Sequence, residues 1–242
     1  MRDFLSFYGK VTLTVQLFFR RYVCKPSTAW LATLIWCTAI SLGWLALANY
    51  GQRPGVLYAP PEYWPQTTAL VNNSLAGRLL VFIHPHCPCT RASLTELDRL
   101  LARHPGVFHC SVVLVKPPGT SAEWHASQLM QIIASIPHVD MVIDQDAVEA
   151  GRFQAETSGV AMLYDLRGKL VFHGGLTSAR GHEGDSLGLR VLQDFARGQS
   201  PTIDRSAVFG CPLNTPLPQR KSVHPAVTLL NSEQGHRCCQ NN

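Results

Sequence analysis

The segment His84-Pro85-His86-Cys87-Pro88-Cys89-Thr90 sets two thiols and two imidazoles side by side. Two chemistries suit such a set. A cysteine thiolate attacks disulfides, and a second thiol nearby resolves the mixed disulfide that forms. The four side chains His84, His86, Cys87 and Cys89 are also borderline-to-soft ligands, a composition suited to copper or zinc. Two of them separated by Pro88 in a tight turn make fourfold binding by this segment alone awkward, so a later histidine, His173 or His182, would have to help. Of the other cysteines, Cys110 reads as a buried strand residue. Cys211, in Gly210-Cys211-Pro212, is an open candidate for a resolving partner. Cys238-Cys239, beside His236, reads as a frayed tail.

The elements around the segment explain how it is positioned. Leu79–Ile83 is a continuous apolar run, the pattern of a strand buried on both faces. Thr90–His104 repeats Leu94, Leu97, Leu100 and Leu101 at helical spacing, and Pro105-Gly106 stops it. Cys87 therefore sits between a strand and the start of a helix, where orphan amides and the helix dipole stabilise a thiolate. Pro88 suits the first helical position because its missing N–H has no partner there. Val107–Val115 is a second buried strand, Ala122–Ile136 a helix, Met141–Ile143 a short strand and Ala147–Ala155 a helix. Val160–Tyr164 and Lys169–Phe172 flank Leu166-Arg167-Gly168 as a hairpin, and Ser186–Ala196 is a closing helix. Strands alternating with helices predict a parallel sheet, to which the hairpin adds an antiparallel edge.

Charge and hydropathy set the compartment. Of the net charge of +5, four units lie in the first 25 residues, on Arg2, Lys10, Arg20, Arg21 and Lys25 against Asp3. The remainder of the chain is nearly neutral, so no basic face suggests nucleic acid. Ala29–Asn49 carries no charge and is long enough to cross ~30 Å of hydrocarbon at ~1.5 Å per residue. Trp30 and Tyr50 lie near its ends, where aromatic rings favour the interface. Ala46-Leu47-Ala48 could pass for a signal-peptidase site, but the preceding flank and the apolar run are both long for a cleaved signal. The positive flank predicts residues 1–25 inside and everything after Tyr50 outside, where disulfide chemistry persists. Phe4–Phe19 is a candidate for lying along the inner membrane surface.

With the motif and its elements in place, a resemblance emerges. Val81-Phe82-Ile83-His84-Pro85-His86-Cys87-Pro88-Cys89-Thr90-Arg91 resembles the active-site segment of thioredoxin-like proteins, with Cys87 on the attacking cysteine. Val142-Ile143-Asp144 through Asp165-Leu166-Arg167-Gly168-Lys169-Leu170-Val171 is similar to the second half of membrane-anchored thiol reductases of the TlpA/ResA kind. The HPHCPCTRAS and GGLTSARGH runs look most like the bacterial RedB group. The resemblance implies an α/β fold, a thioredoxin-like mixed sheet flanked by helices, preceded by one transmembrane helix. Two departures stand out. Thr90 occupies the place of the usual second cysteine, and Cys89 comes one residue early. The position of the usual cis-proline reads Thr157-Ser158-Gly159, a candidate substrate-binding segment. Cysteines two apart do not share a helix face, so a Cys87–Cys89 disulfide should be strained and oxidising.

The expected organisation is an inner N-terminal segment (1–28), the anchor (29–49), a linker (50–78), the thioredoxin-like domain (79–197) and a C-terminal tail (198–242). The expected function is thiol–disulfide exchange outside the cytoplasm, with Cys87 and Cys89 catalytic and His84, His86, Pro88, Thr90, Arg180 and His182 in support. The last two lie in the glycine-rich loop Gly174–Asp185. Protein thiols or disulfides are the expected partners, together with membrane lipid around the helix and a membrane electron donor; no cofactor is required. A copper- or zinc-binding module is the alternative, and a non-enzymatic scaffold is a third reading.

Overall fold

The computed structural model describes residues 26–70, 77–121 and 128–214. The expectations for Phe4–Phe19, Cys238 and Cys239 lie outside the described residues. Ten elements follow in order: α1 (Pro26–Gly51), β1 (Gly77–Ile83), α2 (Thr90–Arg103), β2 (Phe108–Lys116), α3 (Gln128–Ser135), β3 (Val139–Gln145), α4 (Val148–Arg152), β4 (Val160–Tyr164), β5 (Leu170–Gly175) and α5 (Leu187–Ala196).

The strands form one mixed sheet in the order β3-β2-β1-β4-β5. β1 pairs in parallel with β2 and antiparallel with β4, so the strand that delivers Cys87 lies at the centre. Every residue of β1 is buried, and the period-2 alternation of a strand divides its side chains between two cores. Leu79, Val81 and Ile83 pack with Leu94, Leu97 and Leu100 of α2 and with Leu189 and Leu192 of α5. Leu80 and Phe82 point to the opposite face, among Phe153, Tyr164, Val208, Leu213 and Trp64.

That second face depends on segments outside the expected domain core. α4 is only five residues long, so the chain before β1 and after α5 covers much of the apolar surface. Trp64 meets Phe153 and Tyr164 edge-on, each at 5.4 Å between ring centroids. Val208 and Leu213 are buried from the C-terminal side. The linker, read from sequence as a tether packed loosely on the domain, and the tail, expected to pack only around Phe209–Leu213, both contribute buried side chains to this face where they are described. Their proline- and glycine-rich composition hides this, because irregular backbone carries no periodic signal.

Smaller departures have local causes. β3 runs longer than the apolar Met141–Ile143, since its pairing with β2 extends over Val139 and Asp140 at one end and over Gln145 and the buried Asp144 at the other. α4 is shorter than expected, bounded by Ala147 and Gln154 at positive φ. Of the helix expected over Ala122–Ile136, the described part is α3. Ser186 precedes α5 and caps it, accepting a hydrogen bond from the Leu189 amide at 3.1 Å. The hairpin turn closes on Gly168 at φ +76°, with Asp165 Oδ1 accepting from the amides of Arg167 and Lys169.

α1 carries no charged residue, and its Thr28–Gly51 portion has a mean hydropathy of 1.8 with none of its surface buried. By length and composition it is a candidate membrane span. The chain continues from it directly onto the folded unit: the Gly51 carbonyl accepts from the Arg180 amide at 2.9 Å. The Arg180 guanidinium lies 5.2 Å from the Tyr50 ring centroid.

Candidate active site

β1 ends at Ile83, and the backbone turns twice before α2. The Cys87 amide donates to the His84 carbonyl at 3.0 Å, and the Thr90 amide donates to the Cys87 carbonyl at 3.2 Å. Pro88 and Cys89 are therefore the central residues of a tight turn. α2 begins at Thr90, with Cys89 as its N-cap at φ −70° and ψ −23°. Pro88 lies before the N-cap and not in the first helical position, because the Cys87 carbonyl closes a three-residue turn ahead of the regular helix. Cys89 already has helical dihedrals, so the two cysteines do not share a helix face, although the Cys89 thiol still interacts with Cys87.

Cys87 is buried, at 1% exposure. A buried thiolate needs several donors to replace water, and this site supplies them from three segments. The Cys211 thiol, the Thr90 hydroxyl and the amides of Cys211 and Cys89 are the groups that favour the Cys87 thiolate. The Cys211 thiol contributes most, and together these bonds outweigh the opposing effect of burial, holding Cys87 down to about 4. Cys211 moves the other way: its hydrogen bond to Cys87 raises it first, then burial, then the negative charges beside it. Cys89 is raised by burial and by the charge of Cys87, with Arg180 opposing. The three sulfurs thus divide into one thiolate and two protonated thiols.

The hydroxyl groups form a relay. The His84 amide donates to Ser158 Oγ at 2.8 Å, and Ser158 Oγ and Thr90 Oγ1 are 2.7 Å apart. Either hydroxyl can donate in that pair, and Thr90 also favours the Cys87 thiolate. Sequence reading listed Thr90 as a displaced cysteine position and Ser158 as a substrate contact. Their shared role in fixing the thiolate depends on residues 68 apart in the chain.

Thr157-Ser158-Gly159 does lie opposite Cys87, but its main-chain groups are taken by the chain itself. Thr157 forms an antiparallel bridge with Pro212. The Ser158 amide donates to the Cys211 carbonyl and the Leu213 amide to the Glu156 carbonyl, both at 2.8 Å. The Gly159 amide donates to the Phe82 carbonyl. Gly210 makes this approach possible: a Cβ there would stand 1.9 Å from the Ser158 carbonyl oxygen. Cys211, left open on sequence, is thereby delivered to Cys87 by a short pairing strand. The Gly210-Cys211-Pro212 triplet was its only visible signal.

The remaining expected residues separate. Arg180 reaches the site: its Nη1 donates to the Gly210 carbonyl at 2.7 Å, and its charge favours the thiolate forms of Cys89 and Cys211. His182, two residues on, is exposed and is not among the groups acting on the cysteines. His84 is fully buried, and burial lowers its pKa, so it is neutral near pH 7. Its Nδ1 accepts from the His86 amide at 3.1 Å, which commits one ring nitrogen to the backbone. His86 is exposed. Among the described residues no three His, Cys, Asp or Glu side chains converge as a metal-binding group. Cys110 is buried in β2, and burial pushes its thiol up, in keeping with an inert core residue.

A cavity of about 350 Å³ opens beside Cys87, lined by Pro85, His86, Cys87, Pro88, Arg91, Gln128 and Leu129. None of these residues belongs to the Thr157 or Cys211 segments.

No family model matches the sequence, and no curated protein matches it. Solved structures do. A hypothetical protein from Sinorhizobium meliloti 1021 is 17% identical with a TM-score of 0.51, over 69% of this chain and 95% of that one. A putative thioredoxin from Neisseria meningitidis is 17% identical with a TM-score of 0.40, over 53% and 79%. A secreted Mycobacterium tuberculosis disulfide oxidoreductase homologous to E. coli DsbE is 16% identical with a TM-score of 0.32, over 39% and 66%. The fold is thioredoxin-like. The central β1 ending in the cysteine turn, the parallel β2 and β3 on one side and the antiparallel β4 and β5 on the other make up the mixed sheet. The helices α2, α3 and α5 pack on the face opposite Trp64.

Proposed function

We propose that this chain is a membrane-anchored thiol–disulfide oxidoreductase in which Cys87 is the nucleophile. The observation that carries the reading is the set of donors converging on the Cys87 sulfur, which favours a thiolate at neutral pH. In the reducing direction Cys87 attacks a substrate disulfide, forming a mixed disulfide and releasing one thiolate. A neighbouring thiol of the CPC segment or of the Cys211 strand then attacks Cys87, releasing the second thiolate and leaving a protein disulfide. The reverse sequence oxidises a dithiol. The cavity beside Cys87 supplies the approach for a substrate sulfur, with Arg91 and Gln128 at its rim.

The setting follows from α1. With the basic residues of the first 25 on the cytoplasmic side, the folded unit lies outside, in the periplasm or its equivalent. Substrates are then exported or membrane-bound protein thiols, and electrons arrive through a second dithiol protein of the membrane. Purified full-length protein in detergent should reduce insulin in the presence of dithiothreitol, or reshuffle scrambled ribonuclease. Cys87→Ser should abolish both activities. Activity equal to wild type in that variant refutes the reading.

A further inference from the structure

We propose that Cys211 is the thiol that resolves the Cys87 mixed disulfide, so that the redox disulfide is Cys87–Cys211 and not Cys87–Cys89. The inference rests on Cys87 being the nucleophile and assigns the second half of its reaction.

Three observations converge. The first is how Cys211 is held. Its carbonyl accepts from the Ser158 amide, the next residue bridges to Thr157, and the Leu213 amide binds the Glu156 carbonyl. Leu213 and Val208 are buried at 0% and 1% exposure on either side, and Arg180 holds the Gly210 carbonyl. A strand anchored at this many points presents its cysteine in a fixed position. Both the thiol and the amide of Cys211 reach the Cys87 sulfur.

The second observation is the turn at Cys87-Pro88-Cys89. The bond from the Thr90 amide to the Cys87 carbonyl and the helical dihedrals of Cys89 close a tight turn in which the Cys89 thiol stays near the Cys87 sulfur without sharing a helix face with it. A disulfide needs Cβ atoms ~3.8 Å apart and facing each other. Closing so small a ring here would strain the turn that opens α2. Cys211 approaches from another segment and places no such strain on it.

The third is access. The cavity lined by Pro85, His86, Pro88, Arg91, Gln128 and Leu129 meets Cys87 without involving the Cys211 strand. Substrate sulfur and resolving thiol therefore come to Cys87 from different segments, and the strand can stay paired through the cycle.

The step balances as follows. Cys87 thiolate attacks R–S–S–R′, giving Cys87–S–S–R and R′–S⁻, which takes up the proton of the Cys211 thiol. The Cys211 thiolate attacks the Cys87 sulfur, the Cys87–S–R bond breaks, and R–S⁻ leaves and is protonated from solvent. The substrate gains two electrons as two thiols, and the protein loses two as the Cys87–Cys211 disulfide. A second protein dithiol restores the reduced form.

The test is a disulfide map of the reduced full-length protein in detergent after exposure to oxidised glutathione, acid quench and non-reducing tryptic digestion. Cys87 and Cys89 fall in one peptide, Leu79–Arg91, and Cys211 in another, Ser206–Arg220. The expected product joins the two peptides. A disulfide within Leu79–Arg91 beside a free Ser206–Arg220, or Cys87 linked to any other cysteine, overturns the proposal and leaves Cys87 as nucleophile. A Cys87 that stays a free thiol overturns both readings. In Cys211→Ser the glutathione adduct of Cys87 should persist, its clearance slowed at least about tenfold, about 1.4 kcal/mol in barrier. Clearance at the wild-type rate also overturns the proposal.

Discussion

Replacing Cys211 with alanine tests how the thiolate is made, separately from which disulfide forms. The Cys211 thiol is the strongest of the donors that bring Cys87 to about 4. A hydrogen bond to a charged group is worth ~1.5–3 kcal/mol, and one pKa unit is ~1.36 kcal/mol. Cys211→Ala keeps the backbone amide donor and removes the S–H donor, so the Cys87 pKa should rise by ~1–2 units. Cys211→Ser, which restores an O–H donor, should return it most of the way. The assay is the rate of iodoacetamide alkylation at Cys87 against pH, read on the Leu79–Arg91 peptide. The wild-type rate should be flat near neutral pH and fall away only as the pH approaches about 4. Stability carries the same signature. The folded pKa lies below the ordinary thiol value of 9.0, so between those pH values the unfolded chain binds the extra proton. Stability of the reduced protein therefore rises with pH across that window, by at most ~1.4 kcal/mol per unit. This contribution is complete above the unfolded pKa and is lost as pH falls through about 4. An alkylation midpoint unmoved in Cys211→Ala would mean that the amides and Thr90 suffice, and the argument from the Cys211 thiol would be refuted.

Thr90→Val removes the last member of the Ser158–Thr90 relay at nearly constant volume, and should raise the Cys87 pKa by about one unit in the same alkylation profile; Thr90→Ser should restore it. Gly210→Ala forces a methyl group against the Ser158 carbonyl and should cost ~1–3 kcal/mol in urea unfolding, with faster amide exchange at Ser158. If the redox bond is Cys87–Cys211, oxidation closes a loop of more than a hundred residues and should stabilise the fold by ~5 kcal/mol, against ~1.6 kcal/mol for a three-residue ring. Urea midpoints of oxidised and reduced protein distinguish the two. Alkaline phosphatase fused after Gln52 should be active and after Lys25 inactive; the reverse pattern would place Cys87 in the cytoplasm and remove its oxidising setting.

The sequence by itself determined the frame. Leu79–Ile83 has the pattern of a strand covered on both faces, and the leucine repeat of Thr90–His104 that of a helix burying one stripe. Their junction places Cys87 at a helix start. The uncharged stretch Ala29–Asn49 similarly marked a candidate span. These features are local, each written in the periodicity of a single segment. What only the tertiary structure decided is everything that depends on two distant segments meeting. The aperiodic residues around Trp64 and Val208 complete a core face that one short helix leaves open. Ser158 and Thr90 become one relay because β4 pairs with β1. His182 drops out and Arg180 stays, since only the latter turns onto the Gly210 carbonyl. Cys211 stands 124 positions after Cys87 in a stretch with no repeat, and no spacing rule connects them. Backbone pairing across Thr157 and the missing side chain of Gly210 bring the two sulfurs together, because hydrogen bonds between strands are indifferent to how far apart their residues lie in the chain.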